Sequence, residues 1–236
     1  MSKLHLLFTK DGLQYQMINR RIEDENLFFA DADSPENSVE LYLQKLLDQP
    51  FSEISVISAL NRFTLMPEGF SDHEAGYSLI GFNAPVDEAS EELMLSVNKK
   101  FGVQFYYTFP KSYYERIKAV KAPSRFNFSG EKFLNMLQSK GGKEIHINLY
   151  HHQCEFFALE NRKVKLYNNL DVNSEVDFLY FIMFTLSKIG FGTEETQFFV
   201  YGETTENDTF ISELRKFVRH LKISFDNLPK KNFILN

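Results

Sequence analysis

The chain has 236 residues, enough for one large domain or for two domains of about 100–120 residues each. Its net charge of -6 argues against nucleic acid or an anionic membrane as the main partner, because both require clustered Lys and Arg. The single cysteine, Cys154, excludes an intrachain disulfide and fits a reducing compartment. We expect a cytoplasmic protein without membrane insertion, because the N-terminus lacks a signal-peptide core and no apolar run approaches the ~20 residues of a spanning helix.

Apolar and polar residues alternate early in the chain, with the period of a strand that is buried on one side. Two such runs flank Asp11-Gly12, a dipeptide typical of a hairpin turn. A third strand follows, then a helix opened by Ser34-Pro35, then a β-branched fourth strand. The predicted ranges of these four strands are 4–8, 13–18, 26–30 and 54–60.

An insertion of about residues 61–109 follows the fourth strand. We predict a helix over 87–100 and a strand over 103–108 within it. Alternation along that strand places Phe105, Tyr107 and Phe109 on one side and Tyr106 on the other. This aromatic segment is interpreted as core, with an exposed interaction surface as the alternative.

The remaining elements of the first copy follow the insertion, and the second copy then repeats the same order. A helix over 110–120 and a strand over 125–128 complete the first copy, and a connecting helix of about 129–140 leads to a predicted hinge at Gly141-Gly142. We expect the helix that follows Ser174 to be buried on several faces, because residues 178–184 are apolar throughout. A further helix begins at Asp208. The predicted strands of the second copy are 145–149, 155–159, 164–167, 198–201 and 222–225.

The two copies also align residue by residue. A shift of 141 positions places Leu4 and Leu6 on Ile145 and Ile147. The repeated unit is β-β-β-α-β-α-β, which predicts an α/β fold with mixed sheets, two halves and a cleft between them. The predicted domains are residues 1–140, which include the insertion and the connecting helix, and residues 143–236.

Several motifs resemble those of a bacterial family of unknown function, DUF3822. They are FTLMP at 63–67, FYYTFP at 105–110, LYNNL at 166–170 and DFLYF at 177–181. The duplicated order of elements resembles the actin-like ATPase superfamily, whose members pair ribonuclease-H-like domains around a nucleotide cleft. The resemblance covers nearly the whole chain and implies a fold but no reaction. Characterised proteins of that fold include type IV pilus assembly and cell-division proteins.

The resemblance implies a carboxylate at the end of the first strand of each half, where it holds Mg²⁺, and turn glycines whose N–H groups contact phosphates. The carboxylate places fall on Thr9 and Tyr150, and neither residue is acidic. Asp11 stands where a turn glycine is expected, and it reaches a metal only in a shifted register. The adenosine-binding turn, which usually pairs two glycines, keeps Gly202 alone and continues with Glu203.

These altered places favour a non-catalytic protein, a pseudo-ATPase without a cofactor. We therefore predict a scaffold or protein-interaction module that binds an unknown protein partner or itself. The alternative is a nucleotide- or phosphometabolite-binding protein with a modified interdomain cleft, for which ATP with Mg²⁺ stays open as a ligand. Its candidate cleft residues are Thr9, Asp11, Tyr150, Gly202 and Glu203.

Histidines offer weaker alternatives. His151 and His152 point to opposite faces of a strand, so together with Cys154 they do not predict a metal site. The equivalent positions His5 and His146 are interpreted as solvent-facing or capped histidines. A hydrolase site in the insertion would need its one histidine, which stands within the run Asp72-His73-Glu74.

Overall fold

A computed structural model describes residues 1–70, 75–150, 152–202 and 208–223. These residues form two compact units, which divide between Lys132 and Phe133. None of the described helices is both long enough and apolar enough to cross a membrane.

The first unit contains a five-stranded mixed sheet in the order β3-β2-β1-β4-β8. Its central strand, β1, pairs antiparallel with β2 and parallel with β4. The elements of the sheet and its helices are β1 (Ser2–Thr9), β2 (Gly12–Asn19), β3 (Arg21–Phe29), α1 (Pro35–Leu47), β4 (Phe51–Ser58), α3 (Lys111–Ala119) and β8 (Ser124–Phe128).

The core of the first unit lies between one face of this sheet and helices α1 and α3. Alternate residues of β1 point into it, because successive side chains of a strand face opposite sides. Leu4, Leu6 and Phe8 are buried there. The Phe8 ring stacks on Tyr113 of α3 with 5.3 Å between centroids. This packing fixes α3 against the end of the central strand.

The insertion adds a second sheet of three strands in the order β5-β7-β6. Its elements are β5 (Phe63–Pro67), α2 (Gly76–Gly81), β6 (Glu91–Asn98) and β7 (Val103–Pro110). The helix predicted over 87–100 is wrong, since this segment forms β6 and pairs antiparallel with β7. Burial alternates at its end, where Ser96 and Asn98 are buried and Leu95 and Val97 are exposed, so strand pairing prevails over the helix propensity of Glu-Glu-Leu-Met-Leu.

The core interpretation of residues 105–109 is confirmed. Phe105, Tyr107 and Phe109 on one side of β7 and Tyr106 on the other are all almost completely buried. Phe105 and Tyr107 both pack against Phe128, at centroid distances of 5.3 and 5.2 Å. Both faces of this strand are therefore covered.

The second unit repeats the topology of the first. Helix α4 (Ser129–Met136) precedes a five-stranded sheet in the order β11-β10-β9-β12-β13. Its elements are β9 (Lys143–Tyr150), β10 (Gln153–Glu160), β11 (Lys163–Asp171), α5 (Glu175–Ile189), β12 (Gln197–Gly202), α6 (Thr209–Leu214) and β13 (His220–Ile223). The mixed α/β class and the duplicated β-β-β-α-β-α-β unit are confirmed.

The repetition extends to single backbone hydrogen bonds. After the first hairpin, the Ala30 N–H donates to the Asp11 carbonyl at 2.8 Å. After the second, the Val172 N–H donates to the His152 carbonyl at 2.9 Å. The two copies thus fix their third strands to the hairpin turn in the same way.

Helix α5 differs from its predicted burial. One face is buried through Phe178, Ile182 and Leu186. Residues two positions away lie on the opposite side of a helix, since each residue turns the chain by about 100°. We call three of them the α5 stripe; their exposed fractions are 73% for Val176, 60% for Tyr180 and 47% for Phe184. The expectation of burial on several faces is therefore wrong.

Helix capping differs between the two copies in a way that can be measured. The Ser174 hydroxyl accepts a hydrogen bond from the Asp177 N–H at 3.2 Å, whereas the Ser34 side chain makes no such cap. We expect S174A to lower the free energy of unfolding by about 1 kcal/mol and S34A to change it by less than about 0.5 kcal/mol. Urea unfolding followed by circular dichroism measures both. Equal losses in the two variants contradict the cap assignment.

Candidate functional site

The first hairpin places Thr9 and Asp11 at the end of the central strand. Both are half-exposed, and Thr9 pairs across the turn with Gly12. The Gly12 φ is +150°, and a Cβ at this position would lie 2.0 Å from the Phe28 carbonyl oxygen. The close approach of β3 is therefore sufficient to explain why a glycine stands in this turn.

The second hairpin replaces the expected carboxylate by a buried tyrosine. Tyr150 donates its hydroxyl hydrogen to Glu155 Oε1 at 2.6 Å. Asn148 Nδ2 donates to the same oxygen at 2.7 Å, and the Tyr167 hydroxyl donates to Oε2 at 2.8 Å. We call these four residues the Glu155 cluster. His151 of this turn lies outside the described residues.

The Glu155 cluster is a buried structure. Glu155 and Asn148 are completely buried, and Tyr150 and Tyr167 nearly so. A buried carboxylate is tolerated only when donors replace its lost hydration, and this one has three. Tyr150 is thus a buried hydrogen-bond partner of Glu155.

A second buried network lies on the same face of the sheet. His146 Nε2 lies 3.2 Å from Glu144 Oε2, and His146 Nδ1 lies 3.2 Å from the Tyr201 hydroxyl. The imidazole also stacks on the Phe199 ring at a centroid distance of 4.7 Å. Of the two alternatives for this histidine, capped and solvent-facing, the structure has the capped one. The equivalent His5 is half-exposed.

The charges of this network follow from its surroundings. Burial pushes the pKa of Glu144 upward, but hydrogen bonds from His146, Ser139 and the Lys140 N–H outweigh it and hold that pKa below its ordinary value. Burial raises the pKa of Tyr201 to about 12, with a smaller contribution from the Glu144 charge. At neutral pH the network therefore has an ionised Glu144 and a neutral Tyr201.

Backbone conformation and close packing explain why a glycine stands in the predicted adenosine-binding turn. Gly202 has a φ of +86° and pairs with Leu149 across the β12–β9 ladder. A Cβ there would meet the Leu149 carbonyl oxygen at 2.3 Å and Asn148 Oδ1 at 2.6 Å. Glu203 lies outside the described residues. Of the five candidate cleft residues, the structure thus gives Tyr150 and Gly202 structural contacts and leaves Thr9 and Asp11 at a half-exposed turn.

The histidine and cysteine candidates do not converge. Cys154 is completely buried in the apolar core, and burial raises the pKa of its thiol. His152 is exposed in the turn. Within residues 1–70, 75–150, 152–202 and 208–223 no group of three or more His, Cys, Asp or Glu side chains could hold a metal ion. The run Asp72-His73-Glu74 lies outside the described residues.

Sequence reasoning missed Glu155 and Tyr167 because their meeting depends on strand register. Asn148 pairs with Glu155 across β9–β10, and neighbouring Phe157 pairs with Tyr167 across β10–β11. The signal available in the sequence was the alternation of Glu144, His146 and Asn148 along β9, which is also the pattern of a solvated strand face.

The model of a family described as "Protein of unknown function (DUF3822)" matches residues 1–221. The chain belongs to the DUF3822 family. This confirms the resemblance carried by the sequence motifs. No curated protein matches this DUF3822 chain.

Solved structures similar to this DUF3822 protein show its fold. A Bacteroides thetaiotaomicron protein with an actin-like ATPase fold and unknown function has a TM-score of 0.81 at 18% identity, over 94% of this chain and 90% of that chain. A chain of the PilM-PilN type IV pilus biogenesis complex has a TM-score of 0.63 at 9% identity, over 95% of this chain and 88% of that chain. The actin-like ATPase fold predicted from the sequence is confirmed.

The lowered pKa of Glu144 predicts a pH dependence of stability. A carboxyl group whose pKa is lower in the folded than in the unfolded chain stabilises the fold above its ordinary value of 4.5, and this stabilisation is lost as the pH falls through the lowered pKa. We therefore expect the free energy of unfolding to fall more steeply between about pH 5 and pH 3 in the wild type than in E144Q. Urea titrations at several pH values measure this slope.

The control for this experiment is E160Q, which removes a half-exposed carboxyl group on β10. E160Q is expected to keep the wild-type slope. A profile of E144Q that runs parallel to that of the wild type contradicts the assignment.

Proposed function

We propose that this DUF3822 protein is a non-catalytic actin-like module that binds protein, and that its partner is a second copy of the chain. The non-catalytic part is supported by the second hairpin. Tyr150 stands in the place of the expected carboxylate and donates to Glu155, which already accepts from Asn148 and Tyr167. A water-orienting carboxylate needs free lone pairs near a phosphate, and the three hydrogen bonds occupy both oxygens of this one.

The exposed α5 stripe is the observation that carries the protein-binding part. Its side chains follow each other at four-residue spacing and form one contiguous apolar surface, with the Tyr180 and Phe184 rings stacked at 5.9 Å. Contiguous exposed apolar surface on a folded protein marks an interaction site more often than scattered single residues do.

The first copy of the unit serves as an internal comparison. When the buried faces of the helices are aligned, Val39 and Leu43 of α1 coincide with Phe178 and Ile182 of α5. The α1 places that correspond to the α5 stripe hold two polar residues around one leucine; they are Asn37, Leu41 and Lys45. The apolar stripe is thus a property of the second copy and not of the repeated unit.

Charges at the ends of α5 favour a second copy as the occupant. Glu175 lies at the first residue of the helix and Lys188 in its last turn, about 20 Å apart at 1.5 Å per residue. In an antiparallel pair of α5 helices related by a two-fold axis, each Glu175 faces the Lys188 of the other copy while the stripes meet between them. Such an isologous contact is self-complementary.

The PilM-PilN complex is itself an assembly of proteins, and its similarity in fold supports a protein-binding role here by analogy alone. A second candidate function keeps a nucleotide or phosphometabolite at the hairpins. It is favoured by the half-exposed Thr9 and Asp11 at the end of β1. Binding of such a ligand should be lost in D11N.

Self-association through α5 is tested by sedimentation equilibrium at protein concentrations up to about 100 μM, the range of a weak interface. We expect a concentration-dependent dimer in the wild type and a monomer in F184E, because the substitution places charge within the stripe, next to the Tyr180 ring. The control L41E introduces the same charge at the corresponding face of α1, where Leu41 is 61% exposed, and should leave the dimer unchanged.

The antiparallel arrangement has its own test. K188E should weaken the dimer by placing two carboxylates together, and E175K/K188E should restore it by exchanging the charges. A wild-type chain that stays monomeric contradicts self-association. A dimer that survives F184E, or a double variant that is weaker than K188E, contradicts the α5 interface.

A further inference from the structure

A groove of about 560 Å³ opens in the second unit at the beginning of strands β12 and β13. It lies at the opposite end of these strands from the hairpin and from Gly202, about 17 Å away along β12 at 3.3 Å per residue. Its volume is in the range of small-molecule sites, about 300–1,000 Å³. We call it the basic groove; its polar and charged lining residues are Lys140, Glu195, Gln197, Arg219, His220 and Lys222, and the Phe199 ring forms part of its wall.

The basic groove carries positive charge in an acidic chain. Arg219 pairs with Glu194 at 3.3 Å, and Lys143 beside the groove pairs with Glu195 at 3.0 Å. In the part of the chain that the structure describes, Lys140 and Lys222 have no ion-pair partner. Of these four cations, two therefore lack a carboxylate of the described residues within ion-pair distance, although the net charge of the chain is -6.

In the first copy of the unit, a carboxylate neutralises the cation at the position that corresponds to Lys222. There, Glu53 of β4 forms salt bridges with Lys3 at 2.9 Å and with Arg125 of β8 at 3.5 Å. Strand register places Gln197 of β12 where Glu53 stands and Lys222 of β13 where Arg125 stands. The same register places Glu144 where Lys3 stands. The second copy has therefore kept one of the two cations, as Lys222, and has replaced Glu53 by a neutral amide.

Two contacts fix the walls of the basic groove. The Lys140 N–H donates to Glu144 Oε1 at 2.9 Å, which attaches the segment before β9 to the buried network. The Phe199 ring is half-buried and stacks on His146 at 4.7 Å. The cations therefore stand around a surface that is held in place by buried contacts.

We infer that the basic groove binds a small polyanion, a polyphosphate or a polycarboxylate, whose charges take the place of the missing counterion. The ammonium groups of Lys140 and Lys222, with the guanidinium of Arg219, provide charge-assisted hydrogen bonds to it. This ligand site is independent of the dimer proposed for α5 and of the hairpins.

Titration calorimetry with inorganic pyrophosphate and with citrate, at an ionic strength of about 50 mM, tests the inference. We expect saturable binding of at least one of them, and the preferred anion identifies the ligand class. K222Q should weaken this binding by about tenfold or more, as expected for the loss of a charge-assisted hydrogen bond. Q197E, which restores the counterion of the first copy, should abolish it.

The matched control is R125Q, which removes the corresponding cation of the first copy and changes the net charge equally. R125Q and D11N should both bind like the wild type, and unchanged thermal unfolding of each variant shows that the fold is intact. Absence of saturable binding of both anions overturns the inference. Equal weakening by R125Q and K222Q, or loss of binding in D11N, also overturns it.

Discussion

Two carboxylates, Glu144 and Glu155, are buried on one face of the second sheet, and the need to satisfy them determines much of that unit. An isolated buried carboxylate costs several kcal/mol, so each must collect donors from neighbouring strands. Glu155 takes three side-chain donors, and Glu144 takes His146 and the Lys140 N–H. The register of β9 with β10 and β12 is thereby tied to polar contacts as well as to the apolar core on the other face.

Because the unit is duplicated, the two copies can be compared with each other position by position. In each copy a backbone hydrogen bond, donated by Ala30 in the first and by Val172 in the second, attaches the segment after the third strand to the hairpin turn. The two copies therefore share this detail of the repeated unit. What differs is polar chemistry at matching positions: Glu53 against Gln197 on the fourth strand, and a polar against an apolar outer face on the helix that precedes it. Among its described residues, the second copy therefore has a cation without an ion-pair partner at Lys222 and an exposed apolar face on α5.

The sequence contained the order of the elements, because periodicity, hairpin turns and caps are local signals. Strand β6 could not be predicted from the sequence, because its conformation depends on pairing with β7 and not on the propensity of its own residues. The sequence also did not reveal that Tyr150 would meet Glu155, since that contact depends on the register of β9 and β10. The outer face of α5 was misjudged because an apolar run does not tell which of its sides the core will cover.

We propose that the second hairpin carries a structural tyrosine, Tyr150, where the fold resemblance implies a catalytic carboxylate, and that the protein therefore does not hydrolyse ATP. Release of inorganic phosphate from ATP in the presence of Mg²⁺ measures this claim most directly, since binding of ATP elsewhere on the chain leaves the result unchanged. We predict a rate equal to that of buffer without protein. Turnover that requires Mg²⁺ and disappears in D11N would contradict the account, and it would make Asp11 the metal ligand of an active site.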